Sequence, residues 1–271
     1  MIVSITLVMV AMLWHIVVFR LAAKIGLVKP SFRKVEVMAS YGVVSFAYMS
    51  AAVCSLAILG YADWTRAKLY LVTMGAMWLL GAADDLYGSR EVGGFAGHFR
   101  KLLVEGKVTT GALKAVGGGV IALAAGWNIS QGDLSKWLPA SVVIALSANL
   151  LNLFDLRPGR AAAVFFLGLG VTYITALGRF EASWVVAGIA LVALIWAIPD
   201  SRGKAMMGDA GSNSLGAALG LTIATSAGIV FQLVAIACIV AVHLYSEKHS
   251  ISALIERNAV LRYIDTRLGV R

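Results

Sequence analysis

Long apolar runs alternate with short polar segments along almost the whole chain. The runs lie near residues 2–22, 40–61, 67–83, 110–127, 137–154, 161–178, 182–199, 211–228 and 229–245. A helix needs about 20 mostly apolar residues to cross the hydrocarbon core of a bilayer. The pattern therefore predicts an all-α, polytopic bundle of about nine membrane spans, with eight to ten as the range because several runs are short.

The composition supports this prediction. Hydrophobic residues make up 60% of the sequence, charged residues make up 14%, and the mean hydropathy is +0.85. Soluble domains carry about 25% charged residues. We therefore expect residues 1–245 to form one transmembrane bundle and residues 246–271 to form a cytoplasmic tail. Apolar residues on one face of the segment from Ser250 to Leu268 predict an amphipathic helix, which lies on the membrane surface or packs on a partner.

The basic residues between the runs predict which side of the membrane each loop faces. With nine spans, 19 of the 23 Lys and Arg residues fall on one side. The positive-inside rule makes this side cytoplasmic, with the N-terminus outside and the C-terminus inside. Residues 2–19 carry no charge, so the first run is predicted to be a span rather than a cleaved signal. The basic residues beside the spans account for the net charge of +9, and we expect no nucleic-acid partner.

Five aspartates lie at the ends of runs, on the predicted cytoplasmic side: Asp84, Asp85, Asp155, Asp200 and Asp209. An acidic residue at membrane depth is a functional candidate, although a single one is as often a helix cap or a solvated loop residue, above all Asp200. The adjacent pair indicates a nearby cation, because like charges repel. Mg²⁺ takes one or two carboxylates plus substrate phosphates. These residues therefore predict a metal-dependent site for a phosphorylated substrate at the inner membrane surface.

The glycine-rich segment around Asp209 allows two interpretations that are compatible with each other. Ser212 and Asn213 are predicted to cap the following helix, whose N–H groups favour anions. Gly216 and Gly220 have G-x-x-x-G spacing, which is typical of close helix packing.

Four segments resemble the polyprenyl-phosphate N-acetylhexosamine-1-phosphate transferases, a family that includes the lipid-I-forming translocase of peptidoglycan synthesis. The resemblance covers roughly residues 24–220. Its segments are Lys-Pro-Ser-Phe-Arg-Lys ending at Lys34, Gly-Ala-Ala-Asp-Asp ending at Asp85 with Arg-Lys-Leu at 100–102, Asn-Leu-Phe-Asp at 152–155, and Met-Gly-Asp-Ala-Gly-Ser-Asn-Ser-Leu-Gly at 207–216.

The resemblance implies a reaction at the cytoplasmic face of a bacterial plasma membrane. A UDP-linked amino sugar gives its sugar-1-phosphate to a polyprenyl phosphate such as undecaprenyl phosphate, and UMP leaves. Mg²⁺, with Mn²⁺ as the alternative, would be bound by Asp209 and Asp84, and the catalytic residues would be Asp84, Asp85 and Asp209. Membrane lipids are further partners, and dimers are common among relatives, which makes a homodimer the expected oligomer if there is one. The expected substrate-binding residues are Lys34, Lys101, Asn152, Asp155, Arg157, Arg160 and His249.

One loop departs from the family pattern and keeps other interpretations open. The family's second loop aspartate is replaced by Pro158, and Arg157 and Arg160 enter beside it. The arginines strengthen contact with a diphosphate or mark a different donor. A non-catalytic relative that binds polyprenyl phosphate or a nucleotide, as a regulator or scaffold of cell-envelope glycan assembly, is the main alternative. A transporter is the other, but it predicts charges in mid-membrane rather than at span ends.

Overall fold

The computed structural model describes residues 28–30, 36–38, 41–88, 110–177 and 183–270. These residues are almost entirely helical, which confirms the predicted all-α class. The exception within the described ranges is a short antiparallel hairpin of β1 (Val28–Pro30) and β2 (Glu36–Met38). The apolar pattern does not predict this hairpin, because three residues are too few to establish a period of two.

The described helices follow the apolar runs closely. Helices α1 to α8 coincide with the eight runs from residue 40 onward, and the run at 2–22 lies outside the described residues. In chain order they are α1 (Tyr41–Ile58), α2 (Trp64–Tyr87), α3 (Thr110–Ser130), α4 (Leu134–Phe154), α5 (Arg160–Thr175), α6 (Ser183–Ser201), α7 (Gly208–Ser226) and α8 (Ile229–Lys248).

Five of these helices, α2, α3, α4, α6 and α8, are long and apolar enough to cross a membrane. Helix α5 and the Val44–Ile58 part of α1 are apolar but shorter. The chain is therefore a helical protein with several candidate membrane spans. The structure does not confirm the count of nine spans or the predicted sides of the two termini.

Helix α7 lies at the centre of the bundle. Every residue from Ala210 to Ala224 is buried, and the helix packs against α1, α2, α4 and α5. Its glycines allow α4 to approach closely, since a Cβ on Gly220 would lie 2.5 Å from the Cα of Ile144. A Cβ on Gly216 would overlap the backbone of the same helix at Ser147. The predicted close packing through Gly216 and Gly220 is therefore confirmed.

The C-terminal tail contains two helices, α9 (Ile251–Arg257) and α10 (Ala259–Leu268). The expectation of one helix from Ser250 to Leu268 is wrong. The Asn258 side chain accepts hydrogen bonds from the N–H groups of Val260 and Leu261, both at 3.0 Å, and so caps a new helix. Apolar side chains of the tail, among them Leu261, remain exposed in the described chain.

Candidate functional site

The predicted acidic residues meet at one end of the bundle because neighbouring helices alternate in direction. Helix α2 carries Asp84 and Asp85 near its C-terminus, and α4 carries Asn152 in its last turn. Helix α7 carries Asp209 in its first turn. Antiparallel packing of α7 against α2 and α4 brings these helix ends together. With Lys114 of α3, the four residues Asp84, Asp85, Asn152 and Asp209 form what we call the carboxylate cluster.

Lys114 lies between two of the aspartates. Its Nζ donates to Oδ2 of Asp209 and lies 3.7 Å from Oδ2 of Asp84. The side chains of Lys114, Asp84 and Asp209 are 17%, 23% and 26% exposed, respectively. One ammonium group therefore partly neutralises two carboxylates at a position that a ligand can still reach.

Asn152 completes the contacts around Lys114. In the amide orientation that suits its neighbours, its nitrogen donates to Oδ1 of Asp209 at 2.9 Å, and its oxygen accepts from Nζ of Lys114 at 2.8 Å. The Ser212 hydroxyl lies 3.3 Å from the same amide. Three oxygen atoms, from Asp84, Asp209 and Asn152, thus face one cationic nitrogen.

Asp85 has a different environment from its neighbour Asp84. Its two carboxylate oxygens accept the backbone N–H groups of Asp209 and Ala210, at 3.1 and 3.0 Å. A carboxylate is favourable there, because the first N–H groups of a helix lack intrahelical partners and carry partial positive charge. The predicted capping of this helix by Ser212 and Asn213 is wrong, because α7 begins before them, at Gly208.

Asp155 lies next to the cluster, at the C-cap of α4. Its carboxylate lies near the backbone N–H of Gly208, which favours the charged form. Burial raises the pKa of Asp155 well above its usual range, and the nearby carboxylates of Asp200 and Asp209 raise it further. Asp155 therefore holds a proton more tightly than an exposed aspartate does.

Asp200 is buried rather than solvated, being 4% exposed. Its Oδ2 accepts the backbone N–H of Gly159 at 2.8 Å, which fixes one side of the loop that connects α4 to α5. We call residues 155–160 the α4–α5 loop. The solvated-loop interpretation of Asp200 is therefore wrong, and its contacts indicate a structural role.

The predicted phosphate-binding arginines lie in or at the end of the α4–α5 loop. The guanidinium group of Arg160 is buried and contacts Asp265 and Ser252 of the tail. Arg157 is partly exposed. His249 lies at the C-cap of α8 with its ring centre 4.9 Å from that of Tyr245. Binding of substrate by Arg157, Arg160 and His249 stays a prediction, as it does for Lys34 and Lys101, which lie outside the described residues.

Lys114 is the cluster residue that the sequence did not assign to the site. It contributes to the sequence argument only as one of many basic residues near the ends of spans. A lysine inside the first turns of an apolar helix is itself a functional candidate, because an unpaired charge there costs free energy. That signal would have identified it.

The cluster supplies oxygen ligands of the kind that Mg²⁺ and Mn²⁺ prefer. Within the ranges that the structure describes, no three His, Cys, Asp or Glu side chains lie close enough to hold a metal ion by themselves. Two carboxylates with one amide oxygen leave positions for phosphate oxygens, which fits the way Mg²⁺ binds with its substrate.

Neither a protein-family model nor a curated protein matches this chain. Membership of the transferase family therefore stays a prediction that rests on the sequence motifs.

Proposed function

We propose that this protein transfers a sugar-1-phosphate from a UDP-linked amino sugar to a polyprenyl phosphate at the cytoplasmic face of a bacterial plasma membrane, and releases UMP. One observation carries the proposal. Asp84, Asp209 and Asn152, from three separate motifs of the resemblance, surround Lys114 at one end of an apolar helical bundle. Such a site suits a lipid substrate whose chain lies in the bilayer and whose phosphate lies at its surface.

Asp84 and Asp209 would hold the divalent cation, with the amide oxygen of Asn152 as a third ligand. When bound, the cation supplies neutralisation of diphosphate charge and polarisation of the phosphoryl oxygens. Lys114 already places a positive charge at this point. The ligand atoms are all oxygen, which supports a hard cation rather than zinc.

The chain's own residues provide position and charge, which is most of what phosphoryl transfer requires. Lys114 donates to phosphate oxygens once they replace the carboxylate contact. Asp85 is a positioning residue, because it binds the backbone of Asp209. An oxygen of the lipid phosphate forms a bond to the sugar-bearing phosphorus, and the anhydride bond to UMP breaks. UMP keeps the electron pair, and the phosphate dianion needs no base.

The distribution of basic residues supports a cytoplasmic position for the carboxylate cluster. At the opposite end, the described helices and loops carry Arg66, Lys68 and Lys136. The cluster end carries more positive charge, as the positive-inside rule expects for the cytoplasmic side. The described basic residues there are Lys114, Arg157, Arg160, Arg202, Lys204, Lys248, Arg257, Arg262 and Arg267.

The proposal is tested by UMP release from purified protein in detergent. The assay contains undecaprenyl phosphate, Mg²⁺ and a panel of UDP-sugars, with and without the lipid. We expect lipid-dependent UMP from one donor, and a loss of at least about 100-fold in Asp209→Asn because a carboxylate ligand is removed. Asp133→Asn is the matched control, since Asp133 is exposed and caps α4 at the opposite end. It should retain full activity.

The alternative, a non-catalytic protein that binds polyprenyl phosphate or a nucleotide, is supported by the changed α4–α5 loop. This alternative predicts that no donor releases UMP, although the protein still binds undecaprenyl phosphate. That result would reject the transferase proposal.

A further inference from the structure

The buried contact between Arg160 and the tail joins residues that are far apart in sequence. Nε and Nη2 of Arg160 donate to the two carboxylate oxygens of Asp265, at 2.6 and 2.9 Å. Nη1 donates to the hydroxyl of Ser252 at 2.7 Å. Arg160 is 4% exposed and Asp265 is 6% exposed. Asp265 is the one buried residue of α10, so the most enclosed contact of this helix with the bundle is made by a carboxylate.

The α4–α5 loop is also held by the backbone of the tail and by the end of α6. Gly159 has a left-handed φ of 80°, and a Cβ there would overlap the carbonyl oxygen of Leu268. A Cβ on Gly269 would lie 2.6 Å from the carbonyl oxygen of Pro158. The N–H of Val270 donates to the carbonyl oxygen of Ser201 at 2.8 Å. Little space therefore separates the loop from the tail.

The other end of the same loop reaches the carboxylate cluster. The carboxylate of Asp155 lies near the backbone of Gly208, the residue before Asp209. Asn152, one turn earlier in α4, contacts both Asp209 and Lys114. A continuous series of contacts thus runs from Asp265 through Arg160 and the loop to the start of α7.

We propose that the C-terminal tail is part of the substrate site, because Asp265 and Arg160 fix the α4–α5 loop, which carries the expected substrate-binding residues Asp155 and Arg157, in the position in which it binds the nucleotide donor. This inference rests on the proposed function. Asp265 is a positioning residue, and Arg160 acts in the same way instead of contacting a phosphate. Apolar residues can often replace a buried ion pair without loss of stability. We therefore attribute the two hydrogen bonds between Arg160 and Asp265 to the position that they impose on the α4–α5 loop.

The test compares Asp265→Asn with wild type in the full-length protein, using two independent measurements. Hydrogen–deuterium exchange follows the backbone amides of residues 155–160 other than Pro158, and steady-state kinetics give KM for the UDP-sugar and kcat. In Asp265→Asn we expect exchange in the loop to rise about tenfold or more. The donor KM should rise about tenfold, while kcat at saturating donor changes less than about threefold.

Three further variants separate positioning from general damage to the fold. Glu256→Gln removes an exposed carboxylate of the same tail and should match wild type. Asp265→Glu retains the charge and should restore most of the loop protection and of the donor KM. The double variant Arg160→Asp with Asp265→Arg reverses the pair, and it should show slower loop exchange and a lower donor KM than either single reversal.

Unchanged exchange and unchanged donor KM in Asp265→Asn would overturn the proposal. Equal falls in kcat and in kcat/KM, with no recovery in Asp265→Glu, would also overturn it, since they indicate general damage rather than positioning. If no donor is turned over by wild type, the proposed function fails separately. The affinity for UDP and the exchange measurement then decide whether the tail positions the loop.

Discussion

At the scale of single residues, the charge balance of the carboxylate cluster depends on Lys114. Lys114→Gln keeps a polar side chain but removes the ammonium group between Asp84 and Asp209. The two carboxylates then attract a divalent cation more strongly, because no fixed cation competes for them. We expect Mn²⁺ to bind about threefold or more tightly, measured by electron paramagnetic resonance, while transfer activity falls about 100-fold.

Lys136→Gln is the control for this prediction, because Lys136 is exposed and pairs with Asp133 at the opposite end. Its Mn²⁺ affinity and activity should equal those of wild type. Weaker Mn²⁺ binding in Lys114→Gln would contradict the view that the lysine and the metal compete for the same oxygens.

The raised pKa of Asp155 predicts how stability depends on pH. The folded protein holds this proton more tightly than the unfolded chain, in which an aspartate has a pKa of about 3.9. The stabilising contribution of the protonated form is therefore complete below that value, and it is lost as pH rises through the folded pKa. Asp155→Asn mimics the protonated form, so its gain in melting temperature over wild type should be larger at pH 7 than at pH 4.

Asp133 provides a comparison in which the pKa shift has the opposite sign. Its pKa is lowered by hydrogen bonds from Ser135 and Lys136 at the exposed start of α4. Its contribution to stability is present above the unfolded pKa and lost as pH falls through the folded pKa. Asp133→Asn should therefore show no gain at pH 7. Equal changes in melting temperature with pH for the two variants would contradict the environments described for Asp155 and Asp133.

The sequence could indicate which residue types form the cluster but not all of their contacts. Asp84, Asp85, Asn152 and Asp209 follow from motifs at the ends of apolar runs, and helix alternation is enough to place them together. The contact between Arg160 and Asp265 spans 105 positions and depends on how the tail folds back. No local pattern encodes it, so the sequence alone offers Arg160 only as a candidate substrate-binding residue.

At the scale of secondary-structure elements, the cluster depends on how closely α2 approaches the start of α7. A Cβ on Gly81 would overlap the backbone of Asp209 and lie 2.6 Å from the Cα of Ala210. Gly81→Ala must push the two helices apart, and overpacking of this kind costs about 1–3 kcal/mol. We expect a lower melting temperature and weaker Mn²⁺ binding, because Asp85 loses its bonds to the N–H groups of α7.

Gly119→Ala in α3 is the matched control, since a Cβ there meets nothing within 4 Å. Alanine has the higher helix propensity, so this variant should be as stable as wild type or slightly more stable. If Gly81→Ala behaved in the same way, the close approach of α2 to α7 would not be required for the cluster.

Periodicity predicted the helices well, but it did not predict how each helix is used. Helix α7 was expected to be an ordinary span, yet it is enclosed by other helices, and its small residues set the distance to α4 and α2. The tail was expected to be one helix because its apolar stripe continues past residue 258. The local capping bonds of Asn258 override that pattern.

At the scale of the whole molecule, the two ends of the bundle differ in chemistry. The cluster end carries the carboxylate cluster, the α4–α5 loop, the tail and most of the described basic residues. The opposite end carries the exposed caps Asp63 and Asp133, each of which accepts a backbone N–H from the first turn of its helix. Among the described residues, the groups proposed to bind a phosphorylated substrate lie at one end, which makes sidedness a requirement of the proposed function.

The sidedness prediction can be tested by labelling single cysteines. Cys54 and Cys238 are first replaced by serine, and then Arg202→Cys at the cluster end or Lys136→Cys at the opposite end is introduced, both at exposed positions. A membrane-impermeant maleimide is applied to intact bacterial spheroplasts. We expect Lys136→Cys to react at once and Arg202→Cys to react only after permeabilisation, because the positive-inside rule predicts that the more basic end faces the cytoplasm. The reverse pattern would place the carboxylate cluster outside the cell, away from cytoplasmic nucleotide sugars, and would rule out the proposed reaction even if the cluster binds metal as expected.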